Sequence, residues 1–216
     1  PPRSTLFPYT TLFRSMLTMQ YRMHKDIGDA VGALFYDGRL ESHRREQEWA
    51  LTSHRLVFVD FSKVQDYRHR KSRQSESLEN PTERAALHVL LHRLHARARD
   101  KRWNVLVVCP YEAQRMAVEQ EIADARFAFD IQATTVDAVQ GGEADVVILL
   151  MTRSGGRVQF LLDRHRLNVA LSRARDAVVV LGHLGCLARD GEGPIADFVR
   201  FGLERNTLNL DRKSVV

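Results

Sequence analysis

The sequence predicts an α/β domain built on a mostly parallel sheet with helices on its faces. Two observations carry this. Three apolar runs, residues 105–109, 146–151 and 177–181, lack polar alternation, as strands covered on both faces do. Between them lie stretches with apolar residues at helical spacing, and strands alternating with helices imply right-handed βαβ units. The chain of 216 residues, 44% hydrophobic and 27% charged, is long enough to bury a core of its own. No uninterrupted apolar stretch reaches the ~18 residues of a membrane span.

Taken in order, Gln20-Tyr21-Arg22-Met23-His24 leads into Ile27, Val31, Leu34 and Phe35 at helical spacing. Residues 56–61 read as a strand. Residues 63–77 hold Lys63, Arg68, Arg70, Lys71 and Arg73 against Asp66 and Glu76 with little periodicity, and read as a mobile basic loop. Asn80-Pro81-Thr82-Glu83 starts a helix with Pro in its first turn, its apolar stripe being Leu87, Leu90, Leu91, Leu94 and Ala98. The strand at 105–109 ends in Cys109-Pro110-Tyr111-Glu112-Ala113-Gln114, and a helix follows to about residue 125. A weaker strand spans 131–134. Residues 166–175 read as one helix, with Leu167, Ala170, Leu171 and Ala174 on its apolar face, Arg166 and Arg173 on one flank, and Asn168, Ser172 and Arg175 on the other. A final helix covers about 195–203.

Some chemistry is absent. No G-x-x-x-x-G-K-[ST] loop is present to cradle a triphosphate, and no HExxH or nucleophile elbow occurs. His88, His92 and His95 share a helix face without a carboxylate ligand, so they read as a solvated face rather than a metal site. Cys109 and Cys186 form no CxxC, which fits a reduced, intracellular protein. The segment Thr135-Val136-Asp137-Ala138-Val139-Gln140-Gly141-Gly142-Glu143-Ala144-Asp145 is more informative. Its Gly-Gly step lets backbone amides approach a ligand, Thr135 suits a phosphate backbone, and Glu143 can accept from sugar hydroxyls. Tyr21 beside Arg22 pairs a stacking surface with a phosphate donor. Pro110 and Tyr111 stand at a strand's carboxyl end, where open α/β sheets bind ligands.

In this order and spacing, the patterns QYRMH, PY-x-x-Q, TVD-x-x-QG-x-E-x-D and RLNVALSRAR over residues 17–184 resemble the C-terminal motor domain of superfamily 1 helicases. The resemblance is to the group that includes the nonsense-mediated-decay RNA helicase and related DNA replication helicases. It departs at Lys25, where the family usually has Pro, and at His165-Arg166, where it often has Arg-Arg. The resemblance implies a RecA-like fold of the P-loop NTPase type, as the second of two motor domains. It implies that Arg173 is an arginine finger on the γ-phosphate of ATP and that Arg22 is a second arginine beside it. It places Gln20, Tyr21, Gly142 and Glu143 at the nucleotide, and Pro110, Tyr111, Thr135, Val136 and Asn168 on the nucleic-acid side, with Asn168 either bracing its helix or touching the strand. The implied ligands are ATP with Mg²⁺, the metal held mainly by an N-terminal RecA-like domain, and single-stranded DNA or RNA moved 5′ to 3′. Without a phosphate loop, this chain alone is expected not to hydrolyse ATP. Two other readings stand beside it: a non-catalytic nucleic-acid-binding module derived from the fold, and the helicase portion of a helicase–nuclease fusion.

The ends read differently. Residues 1–15 carry three prolines, no acid and a repeated Thr-Leu-Phe, and resemble translated sequencing-adapter sequence, as does the tail at 211–216. The domain is therefore expected over 16–210. The flanks hold Arg3, Arg14, Arg212 and Lys213 against Asp211, so most of the formal charge of +5 lies in them. Bulk charge is then a weak argument for nucleic acid, and the ordered motifs carry it.

Overall fold

A computed structural model describes residues 18–45, 54–97, 102–125, 127, 129–139, 142–156, 163–188 and 192–211. In chain order the elements are β1 (Met19–Gln20), α1 (Lys25–Phe35), β2 (Glu41–Ser42), β3 (Leu56–Asp60), β4 (Arg70–Lys71), β5 (Leu78–Glu79), α2 (Pro81–Arg97), β6 (Asn104–Cys109), α3 (Glu112–Asp124), β7 (Asp130–Thr135), β8 (Ala144–Leu150), α4 (Arg164–Leu171), β9 (Ala174–Gly182), α5 (Leu184–Leu187), α6 (Pro194–Glu204) and β10 (Leu208–Asp211). Among the described residues, six strands form one sheet in the order β10-β3-β9-β8-β6-β7, every neighbouring pair parallel. The five strands expected from sequence are all in it.

The unbroken apolar runs have the expected cause. Within each central strand, alternate side chains enter different halves of the core. Leu106, Val108, Val147, Leu149, Val178 and Val180 pack with Ile27 of α1, Leu167 of α4 and Phe198 of α6. Val105, Val107, Val146, Ile148, Val179 and Leu181 pack with Leu87 and Leu91 of α2 and Val118 of α3. No strand face is left for polar residues, so period-2 alternation disappears. Cys109 is buried in the second half.

Three features differ from the sequence expectation. Residues 208–211 form β10, which pairs with β3 so that Asp211 lies opposite Val59. This four-residue edge strand has a single fully buried side chain, Leu208, and gives little apolar signal. Second, the expected helix at 166–175 stops at Leu171. Ser172 caps it, Arg173 lies in the turn, and Ala174 already begins β9 opposite Ala144. The sheet takes the backbone at that point, since Ala144 N–H donates to the Arg173 carbonyl at 3.0 Å. Helical periodicity cannot register a competing strand partner. Third, segment 63–77 is tied down rather than loose. Tyr67 is buried with its ring stacked on Phe61 at 5.0 Å, β4 pairs with β5, Arg70 pairs with Glu79 at 2.7 Å, and Lys71 pairs with Glu76. Two of its five basic residues, Arg70 and Lys71, are thus paired with nearby acids. The stripe expected on α2 is met, with Leu87, Leu91 and Leu94 buried and Leu90 partly so; Ala98 lies outside the described residues, as do 1–15 and 212–216.

Candidate functional site

The predicted functional residues collect at opposite ends of the sheet. At the amino-terminal edge, where β8 and β9 begin, three segments distant in sequence converge. Arg22 donates through Nε to Glu143 Oε2 at 2.9 Å and through Nη1 to the Ser172 carbonyl at 3.1 Å. Arg175 donates to the other oxygen of Glu143 and lies 3.8 Å from Asp145. Arg173 donates to the Gly142 carbonyl at 3.3 Å, while its Nε is buried without a hydrogen-bond partner. Hydrogen bonding from Arg175, with added attraction from both arginines, holds the Glu143 carboxyl below its ordinary range, and Arg175 is raised in return. Arg22 and Glu143 keep 40% and 37% of their side-chain surface exposed, so salt screens this group and an incoming anion can reach it.

The QYRMH segment is fastened to this edge by its own side chains. Gln20 Oε1 accepts the Arg22 and Met23 N–H groups at 2.9 and 2.7 Å, and its Nε2 donates to Ser42 Oγ at 2.7 Å. Met23 is buried, and His24 N–H donates to the Arg175 carbonyl at 2.8 Å. Gly28 of α1 allows this closeness, because a Cβ there would meet Ser42 Oγ at 2.0 Å and Gln20 Nε2 at 2.7 Å. Lys25 occupies the first helical position, where Pro is favoured but not required, and pairs with Asp29. Tyr21 is 66% exposed, its ring 5.8 Å from that of His43. Gln20 thus serves the loop and Tyr21 faces outward. Open space surrounds Gly142, and Gln140 and Gly141 fall outside the described residues.

The carboxyl-terminal edge holds Pro110, Tyr111, Thr135 and Val136. Val136 is buried and, with Pro110, lines a narrow crevice against Leu167 and Ala170 of α4. The Thr135 carbonyl accepts from Ala138 N–H and Thr134 Oγ1, each at 3.2 Å. The Tyr111 hydroxyl accepts from Arg153 Nε at 2.7 Å. Asp137 pairs with Arg166 at 2.9 Å, tying this edge to α4. Asn168 braces: its Nδ2 donates to the Tyr36 hydroxyl at 3.0 Å beside the end of α1, and its Oδ1 is buried without a partner.

Sequence reading missed two features. Arg153 carries no signal apart from being an arginine at a strand end, while Arg175 reads as a helix flank in the RLNVALSRAR pattern and lies instead in β9. The larger omission is a buried polar network below the carboxyl edge. Asn80 Oδ1 accepts the Thr82 and Glu83 N–H groups as the cap of α2, its Nδ2 donates to the Thr152 carbonyl at 2.9 Å, and its N–H donates to Gln114 Oε1 at 2.7 Å. Glu83 is fully buried, accepts Thr152 N–H at 2.8 Å on both oxygens, and accepts the Tyr67 hydroxyl. Burial pushes its carboxyl up to about 8, against the opposing pull of the hydrogen bonds from Tyr67 and Thr152. In sequence, Glu83 reads only as an acid in a helix's first turn. Gln114 belongs to the PY-x-x-Q pattern, and the structure gives it this bracing role.

Among the described residues no group of three or more His, Cys, Asp and Glu is placed to hold a metal, and no helix is long and apolar enough to cross a membrane. His88, His92 and His95 lie on the exposed face of α2, the latter two against Phe127.

Comparison with known proteins bears on this arrangement. The family model described as AAA domain matches residues 5–185. The chain is 30% identical over 188 residues to the regulator of nonsense transcripts 1 homolog of Drosophila melanogaster, covering 80% of this chain and 16% of that protein. It is 42% identical over 87 residues to the DNA polymerase alpha-associated DNA helicase A of Saccharomyces cerevisiae, covering 39% of this chain and 13% of that protein. A solved C-terminal domain of a possible DNA helicase from Lactobacillus plantarum WCFS1 aligns with a TM-score of 0.49 and 15% identity, covering 89% of this chain and 99% of that one. The chain therefore spans less than a fifth of the length of these curated relatives. With the family model matching residues 5–185, the chain belongs to the AAA domain family, and its four ordered motifs and the helicases it is similar to agree with a superfamily 1 helicase motor domain.

Proposed function

We propose that this chain supplies the arginine finger and part of the nucleic-acid track to an ATP-dependent helicase whose phosphate loop comes from an N-terminal RecA-like domain. The observation that carries this reading is the convergence of Arg22, Glu143, Arg173 and Arg175 on one sheet edge, with a buried Arg173 Nε that has no hydrogen-bond partner among the described residues. An unsatisfied buried cationic donor costs free energy, and a phosphate oxygen is a fitting acceptor for it. ATP would be gripped between this edge and the partner domain, Arg22 and Arg173 meeting the γ-phosphate and Tyr21 lying near the base. Mg²⁺, held mainly by the partner domain, would neutralise phosphate charge.

Glu143 takes on a second task in this reading. Its carboxylate holds Arg22 and Arg175 in place and is positioned to exchange one of them for a ribose hydroxyl. Arginines that complete a phosphoryl-transfer site contribute about 10³–10⁵ in rate. At the other edge, Pro110, Tyr111, Thr135 and Val136 would receive single-stranded DNA or RNA through backbone and stacking contacts, with α4 connecting the two edges. In the full-length protein, Arg173→Ala should lower ATP turnover by about 10³-fold or more while oligonucleotide affinity stays within a few-fold. Turnover retained at the unmodified rate would remove Arg173 from the finger role.

A further inference from the structure

At the end of β8 the chain turns through a residue ill suited to the turn. Thr152 has φ of 66°, in the left-handed region that a β-branched side chain seldom enters, and it is fully buried. Glu83 holds its N–H and Asn80 holds its carbonyl, while Tyr67 and Gln114 hold those two in turn. Strain of this kind persists only where the surroundings over-determine it, most often beside a working surface.

The strained residue sets the position of Arg153. Its guanidinium donates to the Tyr111 hydroxyl through Nε and lies over the following turn, since a Cβ on Gly156 would stand 3.1 Å from Arg153 Nη1. Ser154 is locked to His69. His69 Nδ1 accepts Ser154 N–H at 3.1 Å, and Ser154 Oγ lies 2.8 Å from the same nitrogen. That arrangement puts the imidazole proton on Nε2, leaving it a donor. Ser154, Gly155 and Gly156, with His183, Gly185 and Cys186, line an open cavity of about 200 Å³ that contains no carboxylate in its lining. Arg153 and His69 flank this lining through the turn and Ser154, and a guanidinium, an imidazole donor and the backbone at Gly155, which has open space where a Cβ would stand, are groups suited to an anion. These groups are contiguous with Tyr111.

The geometry points to a phosphate subsite for single-stranded nucleic acid formed by Arg153, His69 and the turn at 154–156. It extends the strand path from Thr135 and Tyr111 across the carboxyl edge toward β9. The assignment rests on the reading of that edge as the nucleic-acid track.

The test is fluorescence anisotropy of labelled oligothymidylate and oligouridylate with this chain, titrated over a range of NaCl concentrations. Arg153→Ala should weaken binding to both and lower the slope of log affinity against log salt by about 0.7–1, the loss of one phosphate contact. A second variant does not depend on Arg153. A Cβ on Gly155 meets nothing within 4 Å, so Gly155→Asp fits and sets a negative charge in the subsite. It should weaken binding while Gly155→Ser does not, with both variants unfolding at the unmodified midpoint. If Arg153→Ala and Gly155→Asp keep the original affinity and slope while Thr135→Ala loses affinity, the subsite is overturned and the track stands. If the unmodified chain binds neither oligonucleotide, track and subsite fall together.

Discussion

Single side chains decide how this protein answers to pH. Glu83 has a carboxyl raised to about 8 in the fold, from an ordinary value near 4.5, because burial penalises its charge. Between those values the folded state binds a proton that the unfolded state has released, so this group's contribution to stability falls as pH rises from about 5 to about 8. His69 works in the opposite sense. Burial and the neighbouring Arg153 hold its imidazole below the usual value, so its contribution grows as pH rises toward the ordinary histidine range. Urea unfolding at pH 5.5 and at pH 8.5 should therefore show a loss of stability in the unmodified chain that Glu83→Gln removes. Equal pH dependence in the two proteins would place the Glu83 proton elsewhere. Glu143 lies outside this window, since its carboxyl is depressed by Arg175 and Arg22. Its ion pairs persist at neutral pH and are lost only as acid protonates it, below the ordinary carboxylate range.

At the scale of elements, α2 is anchored at its first turn. Asn80 caps two of its N–H groups and also supplies the donor for the Thr152 carbonyl. Asn80→Ala should cost about 2–5 kcal/mol, the sum of a lost cap at roughly 1–2 and a buried carbonyl left unpaired at roughly 1–3, read as a shift in the urea midpoint. Asn80→Asp keeps the cap acceptor and loses the donor, so it should fall between the two. A midpoint unchanged by Asn80→Ala would mean the network does not stabilise the turn. This cap was legible, because Asn before Pro marks a helix start by local chemistry. The strands at 105–109, 146–151 and 177–181 were legible too, since burial on two faces writes itself into composition. The end of α4 was not. Leu167, Ala170, Leu171 and Ala174 keep helical spacing, and the pairing of Ala174 with Ala144 depends on a segment thirty residues earlier. The same holds at the site. Tyr111 and Thr135 announce themselves by type and by strand-end position, whereas Glu83 and Thr152 gain their meaning from each other.

Across the whole molecule, the sheet sets two working edges apart and α4 spans them. The amino edge gathers arginines and the carboxyl edge gathers the motif residues proposed for the strand. The chain contains no G-x-x-x-x-G-K-[ST] loop, so the purified chain should show no steady ATP turnover with or without oligonucleotide. Sustained phosphate release by a homogeneous preparation would contradict the division of labour proposed for the two domains. One feature of the sheet reaches further. The strand β3 sits between β9 and β10, with Leu56 opposite both Val178 and Leu208. It is made before both its neighbours, with residues 61–173 lying between it and β9. During synthesis its apolar run must wait, unpaired, until that intervening stretch has emerged. Assembly is therefore governed by the slowest kind of closure, a long-range parallel pairing, and β3 is a sticky edge for that interval. A nascent chain halted before β9 would present that edge to other chains, which makes this half of the sheet the place where chaperone engagement and aggregation would begin.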